Sequence, residues 1–334
     1  MYHLRKLRIS LISLSVCSAV CLCAGCTRSA SETTSEGSGY YFDTTVSIKI
    51  TDEHAETLLQ GCMDICEELE NTLSAREESS ELYQVNHRDQ NRVDISDDLA
   101  ECIATALKWS EASDGVYDLT IYPVSSLWDF HAENPEVPDS EKVSGALEAV
   151  DYRNVSLDGN TITFSSDETQ IDLGGIAKGY ISEKLKTYLT ENGCTSALIN
   201  LGGNVSTVGH KDDGSEWIVG VQKPFSVRGE VLLTVGSADN CVISSGIYER
   251  YFEQDGEFYH HIIDPSTGYP TKTDLNQVTV IGSRDADCDA LSTICLLLGE
   301  EKAVEFYETQ NLDVTLIFTN SENEVTWYPE EPAS

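Results

Sequence analysis

Positive charge is what this 334-residue chain has least of: 21 Lys and Arg stand against 57 Asp and Glu, a formal net charge of −36. Such a surface repels nucleic acid and anionic headgroups, so no nucleic-acid partner is expected. Long apolar runs are scarce too. The run at residues 9–22 is short for crossing a bilayer and follows Arg5, Lys6 and Arg8, so it reads as the apolar core of a targeting segment. No internal repeat is visible, and the main glycine turn matches neither GxGxxG nor GxxxxGK[ST], the two nucleotide fingerprints. Of eleven cysteines, Cys17, Cys21, Cys23 and Cys26 belong to the leader, and the other seven are odd in number without CxxC spacing. That leaves a disulfide framework and a zinc site with little support. Buried free thiols are expected instead, in keeping with an anaerobic or weakly oxidising exterior.

What is present is a chain 40% hydrophobic, enough for a sizeable core. The leader ends in Leu22-Cys23-Ala24-Gly25-Cys26, where small residues before a cysteine resemble a bacterial lipobox, with the leucine one place further out than usual. Residues 1–25 are therefore expected to be a lipoprotein signal peptide. Lipid on Cys26 would place the protein at the cell membrane, facing the extracytoplasmic side; a plain secretory signal or an uncleaved anchor is the alternative. Residues 26–39, rich in Ser, Thr, Glu and Gly, read as a flexible tether, and residues 40–334 as one domain. In that domain Leu58, Cys62, Ile65, Cys66, Leu69 and Leu73 share a helical face, and Ser96 caps a second helix. Strands are predicted at 46–50, 197–200, 217–221, 231–235, 277–281, 314–318 and 325–328, with hairpins turning at Asp158-Gly159 and Asp255-Gly256. Helices cluster early and strands mix later, so the fold class is α+β, a mostly antiparallel sheet flanked by helices.

Three places could carry chemistry. Asp172-Leu173-Gly174-Gly175-Ile176-Ala177-Lys178-Gly179-Tyr180 follows the β-prone Ile171 and opens an amphipathic run. It is predicted as a strand, a tight turn and a helix start whose free N–H groups favour an anion. Asp289 and Thr293 lie four apart on a predicted helix, with Ser292 one position round, and such oxygen donors suit a hard ion such as Mg²⁺. His261, before Asp264-Pro265, is a candidate proton acceptor, with His260 the weaker one. Each place also has a bland structural reading: an ordinary turn, a solvated helix turn, and a turn histidine bonded to Asp264.

From Phe42 to the last strands the chain resembles the ApbE family, the FAD:protein FMN transferases, through FDTTVSI, LSAREESSELYQVN, DGVYDLTIYPVSSLWDF, DLGGIAKGY, LINLGGN, ISSGIYERYFEQDGEFYHHIIDPSTGYP and DADCDALSTICLLLG. The resemblance implies transfer of the FMN half of FAD to a Thr or Ser of another flavoprotein, with release of AMP. It implies Mg²⁺ held by Gly175, Asp289 and Thr293, with Ser292 standing where some members carry an acid. Flavin contacts would come from Phe42, Val116, Tyr117, Asp118, Asp172, Lys178 and Ile263, and His261 would act as the base. Phe42-Asp43 replaces a frequent Met-Gly, and Arg76 stands where a Tyr often packs on the ligand. The acceptor would be a membrane or extracellular flavoprotein subunit. Two alternatives stand beside this reading: an FAD pyrophosphatase giving FMN and AMP, and a non-catalytic flavin-binding lipoprotein.

Overall fold

A computed structural model describes residues 33–330, apart from His131. The expected signal peptide and Cys26 lie outside the described residues. The tether does not reach residue 39 as a flexible segment. Thr33–Tyr41 is strand β1, paired residue for residue with β2 (Thr44–Asp52) through a two-residue turn at Phe42-Asp43. Its Thr/Ser/Gly composition misleads because an edge strand buries little, and its residues alternate between exposed and half-buried.

Helices α1 (Ala55–Leu73) and α2 (Glu81–Asn86), strand β3 (Arg92–Asp94) and α3 (Asp97–Ala112) follow. The predicted stripe of α1 is real: Leu58, Cys62, Cys66, Leu69 and Leu73 are buried. Ser96 caps α3 by accepting from the Leu99 N–H. Short α4 (Tyr122–Ser125) and α5 (Ser140–Leu147) lead to the hairpin β4 (Val155–Asp158) and β5 (Thr161–Phe164), then to α6 (Ala177–Glu191). Strands β6 (Ser196–Leu201), β7 (Asn204–Gly209), β8 (Trp217–Gln222), β9 (Val231–Ser237) and β10 (Cys241–Gly246) come next. The hairpin β11 (Tyr251–Gln254) and β12 (Glu257–His260) turns at Asp255-Gly256. Strand β13 (Leu275–Gly282), helices α7 (Asp285–Leu298) and α8 (Glu300–Gln310), and strands β14 (Thr315–Asn320) and β15 (Val325–Tyr328) close the chain.

Eight strands form one sheet in the order β1-β2-β6-β7-β10-β13-β14-β15, every neighbouring pair antiparallel. The fold is thus α+β, as the sequence implied. Side chains alternate across the sheet with period two. Ala197, Ile199, Leu201, Ile243, Leu316 and Phe318 turn to the main core with α1, α3, α6 and α7. Val205, Val242 and Ile317 turn the other way, onto Val219, Val221 and Val235 of the β8–β9 ribbon. A third cluster gathers Val124, Trp128, Val143, Phe252 and Ile263, with the Trp128 indole donating to the Gly268 carbonyl at 2.8 Å. All seven described cysteines are buried free thiols, as expected.

Candidate active site

Helix α7 sets the geometry. Asp285, Asp289 and Thr293 recur every four residues, so they share the face laid against the sheet. Strand alternation turns Asn204 and Ser206 of β7 and Ser245 of β10 towards that face. Ser206 Oγ donates to Asp285 Oδ1, Asn204 Nδ2 donates to Asp289 Oδ1 at 2.9 Å, and Ser245 Oγ lies 3.3 Å from Thr293 Oγ1. Ser292, fully buried, donates to the Asp289 carbonyl at 2.8 Å and meets Ser245 Oγ at 2.7 Å.

Helix α6 crosses α7 at Gly179 because only a glycine fits there. A Cβ on Gly179 would lie 2.3 Å from the Asp285 carbonyl oxygen and 2.7 Å from Asp289 Cβ. The close approach lets the Gly179 N–H donate to Asp289 Oδ2 at 2.9 Å, while Lys178 Nζ stands 3.7 Å from Asp289 Oδ1. Asp289, 2% exposed, is therefore a buried carboxylate with two N–H donors and a cation beside it.

The glycine stretch brings Gly175 to the same place. A Cβ on Gly175 would lie 3.6 Å from Thr293 Oγ1 and 2.9 Å from Tyr117 Cε2. One expectation fails here: Ile171 does not end a strand, its N–H donating to Asn86 Oδ1 and that of Asp172 to the Leu119 carbonyl. The free N–H groups expected at the helix start are fewer than the sequence suggests. Those of Ile176 and Ala177 bond the Leu173 carbonyl, that of Gly174 bonds Asp172 Oδ1, and that of Gly179 bonds Asp289, while those of Gly175 and Lys178 are not among them.

The flavin candidates divide. Tyr117 joins the cluster: it packs against Gly175, its buried hydroxyl has no hydrogen-bond partner, and burial pushes its pKa well up, with the Asp172 and Asp289 charges adding. A buried, unanswered hydroxyl beside the oxygen donors suits a polar ligand atom. Asp172 accepts from Ser125 Oγ through Oδ2 at 2.8 Å, and Lys178 Nζ reaches the Gly174 carbonyl at 3.5 Å. Asp118 has a role within the protein itself. Its carboxylate accepts from the N–H and hydroxyl of Thr120 and from the Tyr152 N–H, which ties its loop together. Val116, half-buried, bonds back to the Ser113 carbonyl, and Ile263 belongs to the aromatic cluster.

Phe42 and Asp43 both have positive φ, 55° and 56°, an uncommon conformation for such side chains. Their turn lies at the same end of the sheet as Gly202, whose N–H donates to the Thr45 carbonyl, two residues before Asn204. Arg76 Nη1 stands 4.0 Å from Asp43 Oδ2.

His261 is not bonded to Asp264, whose Oδ1 accepts from Ser266. Its Nδ1 lies 3.3 Å from the Arg250 carbonyl oxygen. A carbonyl only accepts, so Nδ1 carries the hydrogen and Nε2 keeps its lone pair. Burial, with the Arg250 and His260 charges, pushes its pKa down to about 3. His260 is structural: Nε2 meets the Thr271 carbonyl at 3.0 Å, and Nδ1 accepts from the Ile262 N–H.

Asn204 and Ser245 carry site geometry that sequence reasoning passed over. A polar Asn closing LGGN at the head of a buried strand was the available signal, since Asn is depleted in strands.

The arrangement gathers oxygen donors around the buried Asp289 carboxylate with Lys178 beside it, a donor set suited to holding a cation. A family model described as the ApbE family matches residues 42–318. The FAD:protein FMN transferase of Klebsiella pneumoniae (strain 342) is 33% identical over 275 residues, 81% of this chain and 85% of that protein. That of Treponema pallidum (strain Nichols) is 34% identical over 277 residues, 78% of this chain and 76% of that one. The structure of the flavin transferase ApbE from Vibrio cholerae superposes with a TM-score of 0.79 at 26% identity, covering 90% of this chain and 98% of that one. The chain belongs to the ApbE family.

Proposed function

We propose that this chain is an FAD:protein FMN transferase, moving FMN from FAD to a Thr or Ser hydroxyl of a flavoprotein and releasing AMP. The observation that carries the reading is the meeting of Gly175, Asp289 and Thr293, with Lys178 beside Asp289. His261 Nε2 takes the proton of the acceptor hydroxyl as its oxygen attacks the phosphorus of the FMN half. The bond from that phosphorus to the bridging oxygen breaks, and AMP leaves with the electron pair. A neutral base suits this step because it holds no proton to lose first. Lys178, beside Asp289, would neutralise phosphate oxygens.

The donors fit Mg²⁺: a carboxylate, a hydroxyl and a backbone carbonyl are all hard oxygen ligands. Asp289, Thr293 and the Gly175 carbonyl would hold it, with Ser292 kept for support through Ser245. When bound, the ion would offset negative charge on the pyrophosphate and on the leaving AMP. Among the described residues no group of three or more His, Cys, Asp or Glu is placed for a metal, and the donors named here include one charged group, Asp289.

The lipobox-like leader supports a lipid on Cys26 and a place at the membrane's extracytoplasmic face, beside membrane flavoprotein acceptors. Incubation with FAD, Mg²⁺ and a flavoprotein subunit, followed by intact-mass analysis, tests the activity. A covalent FMN adduct supports the transferase; free FMN and AMP without adduct assign the pyrophosphatase.

A further inference from the structure

Resting on the transferase reading, we infer that Phe130 is a positioning residue for His261, its ring bracing the imidazole while leaving Nε2 free. The two rings meet edge to face, with centroids 6.5 Å apart and planes at 79°. Both side chains are half-buried. A histidine ring turns easily about its last torsion, whose preference is broad. The contact from Nδ1 to the Arg250 carbonyl, 3.3 Å long, pins one atom and leaves the plane free to tilt. Phe130 supplies the second constraint. A phenyl ring carries no polar donor or acceptor atom, so it limits the tilt without occupying the Nε2 lone pair.

Strand alternation brings these rings together. The His261 N–H donates to the Arg250 carbonyl, which extends the β11–β12 ladder one pair beyond Tyr251 and His260. Phe252, its cross-strand partner Tyr259, and His261 therefore share one face of the hairpin, and His260 turns to the other. That shared face packs on the loop carrying Trp128 and Phe130: Trp128 meets Tyr259 at 5.7 Å, and Phe130 meets Phe252 at 5.6 Å.

Phe130 rests on a fixed support of its own. Its ring lies nearly parallel to that of Trp128, at 8° and 6.0 Å between centroids. Trp128 is 1% exposed and anchored by its indole bond to the Gly268 carbonyl. Phe252, the second ring against Phe130, stacks in turn on Tyr259 at 5.4 Å. The indole thus holds Phe130, and Phe130 holds the imidazole. A base that must meet its hydroxyl in one direction takes its aim from buried aromatics that do not touch the reacting atoms. Such aim matters, because misplacing a group by about 1 Å costs on the order of 10²-fold in rate.

The test uses the full chain with FAD, Mg²⁺ and a purified soluble domain of a flavinylated protein. In Phe130→Ala, kcat for transfer should fall about tenfold or more, while FAD affinity by fluorescence quenching stays within about twofold of the parent. Phe130→Leu keeps apolar bulk without the flat ring; it should lose kcat in the same sense and takes the place of Phe130→Ala if that variant does not fold. Phe130→Tyr keeps the ring and should retain kcat to within about threefold. Tyr269→Leu removes a ring that meets Trp128 at 5.5 Å and should keep the parental kcat, which separates aim from packing. Without FAD, diethyl pyrocarbonate should modify His261 several-fold faster in Phe130→Ala than in the parent, measured against the exposed His54 by tandem mass spectrometry. An active parent whose Phe130 variants keep the parental kcat and modification rate overturns this inference alone. So does a loss of kcat that Tyr269→Leu shares, or one that merely follows FAD affinity. A parent that labels no acceptor sinks the transferase reading and this inference with it.

Discussion

Replacing Asp289 by Asn removes one charge and almost no volume, yet the structure makes it a severe change. Both carboxylate oxygens accept from fixed donors, Oδ2 from the Gly179 N–H and Oδ1 from Asn204 Nδ2, each at 2.9 Å. An amide can accept from only one of them and must point its own NH₂ at the other. The Asn204 amide can turn to accept from that NH₂, but two charge-assisted hydrogen bonds become neutral ones and Lys178 Nζ, 3.7 Å away, loses its carboxylate, a combined cost of about 3 kcal/mol. For a domain of this size that lowers the melting temperature by roughly 6 °C. The assay is guanidinium unfolding in metal-free buffer, read by circular dichroism, with the midpoint falling at unchanged slope. The control reverses the pair. In the Asp289→Asn/Asn204→Asp double variant, the amide now on α7 can accept from the Gly179 N–H and donate to the carboxylate now on β7, so stability should return to within ~1 kcal/mol of the parent. Transfer should not return, because the carboxylate has left its position on α7. A single variant within ~0.5 kcal/mol of the parent, or a double variant no better than the single, would refute the reasoning.

His261→Ala should abolish transfer while leaving FAD binding unchanged. Because the His261 pKa is pushed down to about 3, the acid limb of the pH–rate profile should lie well below the ordinary 6.5; a limb at 6.5 counts against the assignment. His260 and His261, pushed down to about 4 and about 3 chiefly by burial, bind fewer protons folded than unfolded below pH 6.5, so their stabilisation is lost as pH falls through that window. Asp285, pushed up to about 6 by burial, acts oppositely: between 3.8 and 6 the folded state holds the extra proton, and its contribution is lost as pH rises. Asp285→Asn should therefore steepen the loss of stability from pH 6 to 4, and an unchanged slope in urea titrations would contradict it. Gly179→Ala should destabilise by about 3 kcal/mol or more, since its Cβ meets backbone, whereas Gly175→Ala displaces a ring edge and should cost less; equal melting temperatures would be inconsistent with the helix crossing described.

The long periodic elements were legible from sequence because their faces differ. In α1 five of the six stripe residues are buried and Ile65 is half-buried, and the alternating strands β8 and β13 to β15 lie where predicted, each within two residues. Elements whose burial is polar were not legible. Strand β7 turns Asn204 and Ser206 inward, which is sound only because Asp289 and Asp285 wait on the facing helix. No pattern of apolar residues announces such a strand. Strand β1 hid for the opposite reason, since an edge exposed along most of its length needs no apolar code. The spacing of Asp289 and Thr293 gave half the site. The approach of Gly175 to Thr293 depends on Gly179 admitting one helix to another, and that is a tertiary fact.

The early start of β1 sets a mechanical limit. A lipid carried on Cys26 would leave six residues before the sheet begins at Thr33, a leash of roughly 25 Å at full stretch from Cys26 to Thr33. A body so closely moored would patrol the surface of its own membrane rather than the space beyond. Substrate proteins would then have to come to it sideways, as neighbours in the same plane.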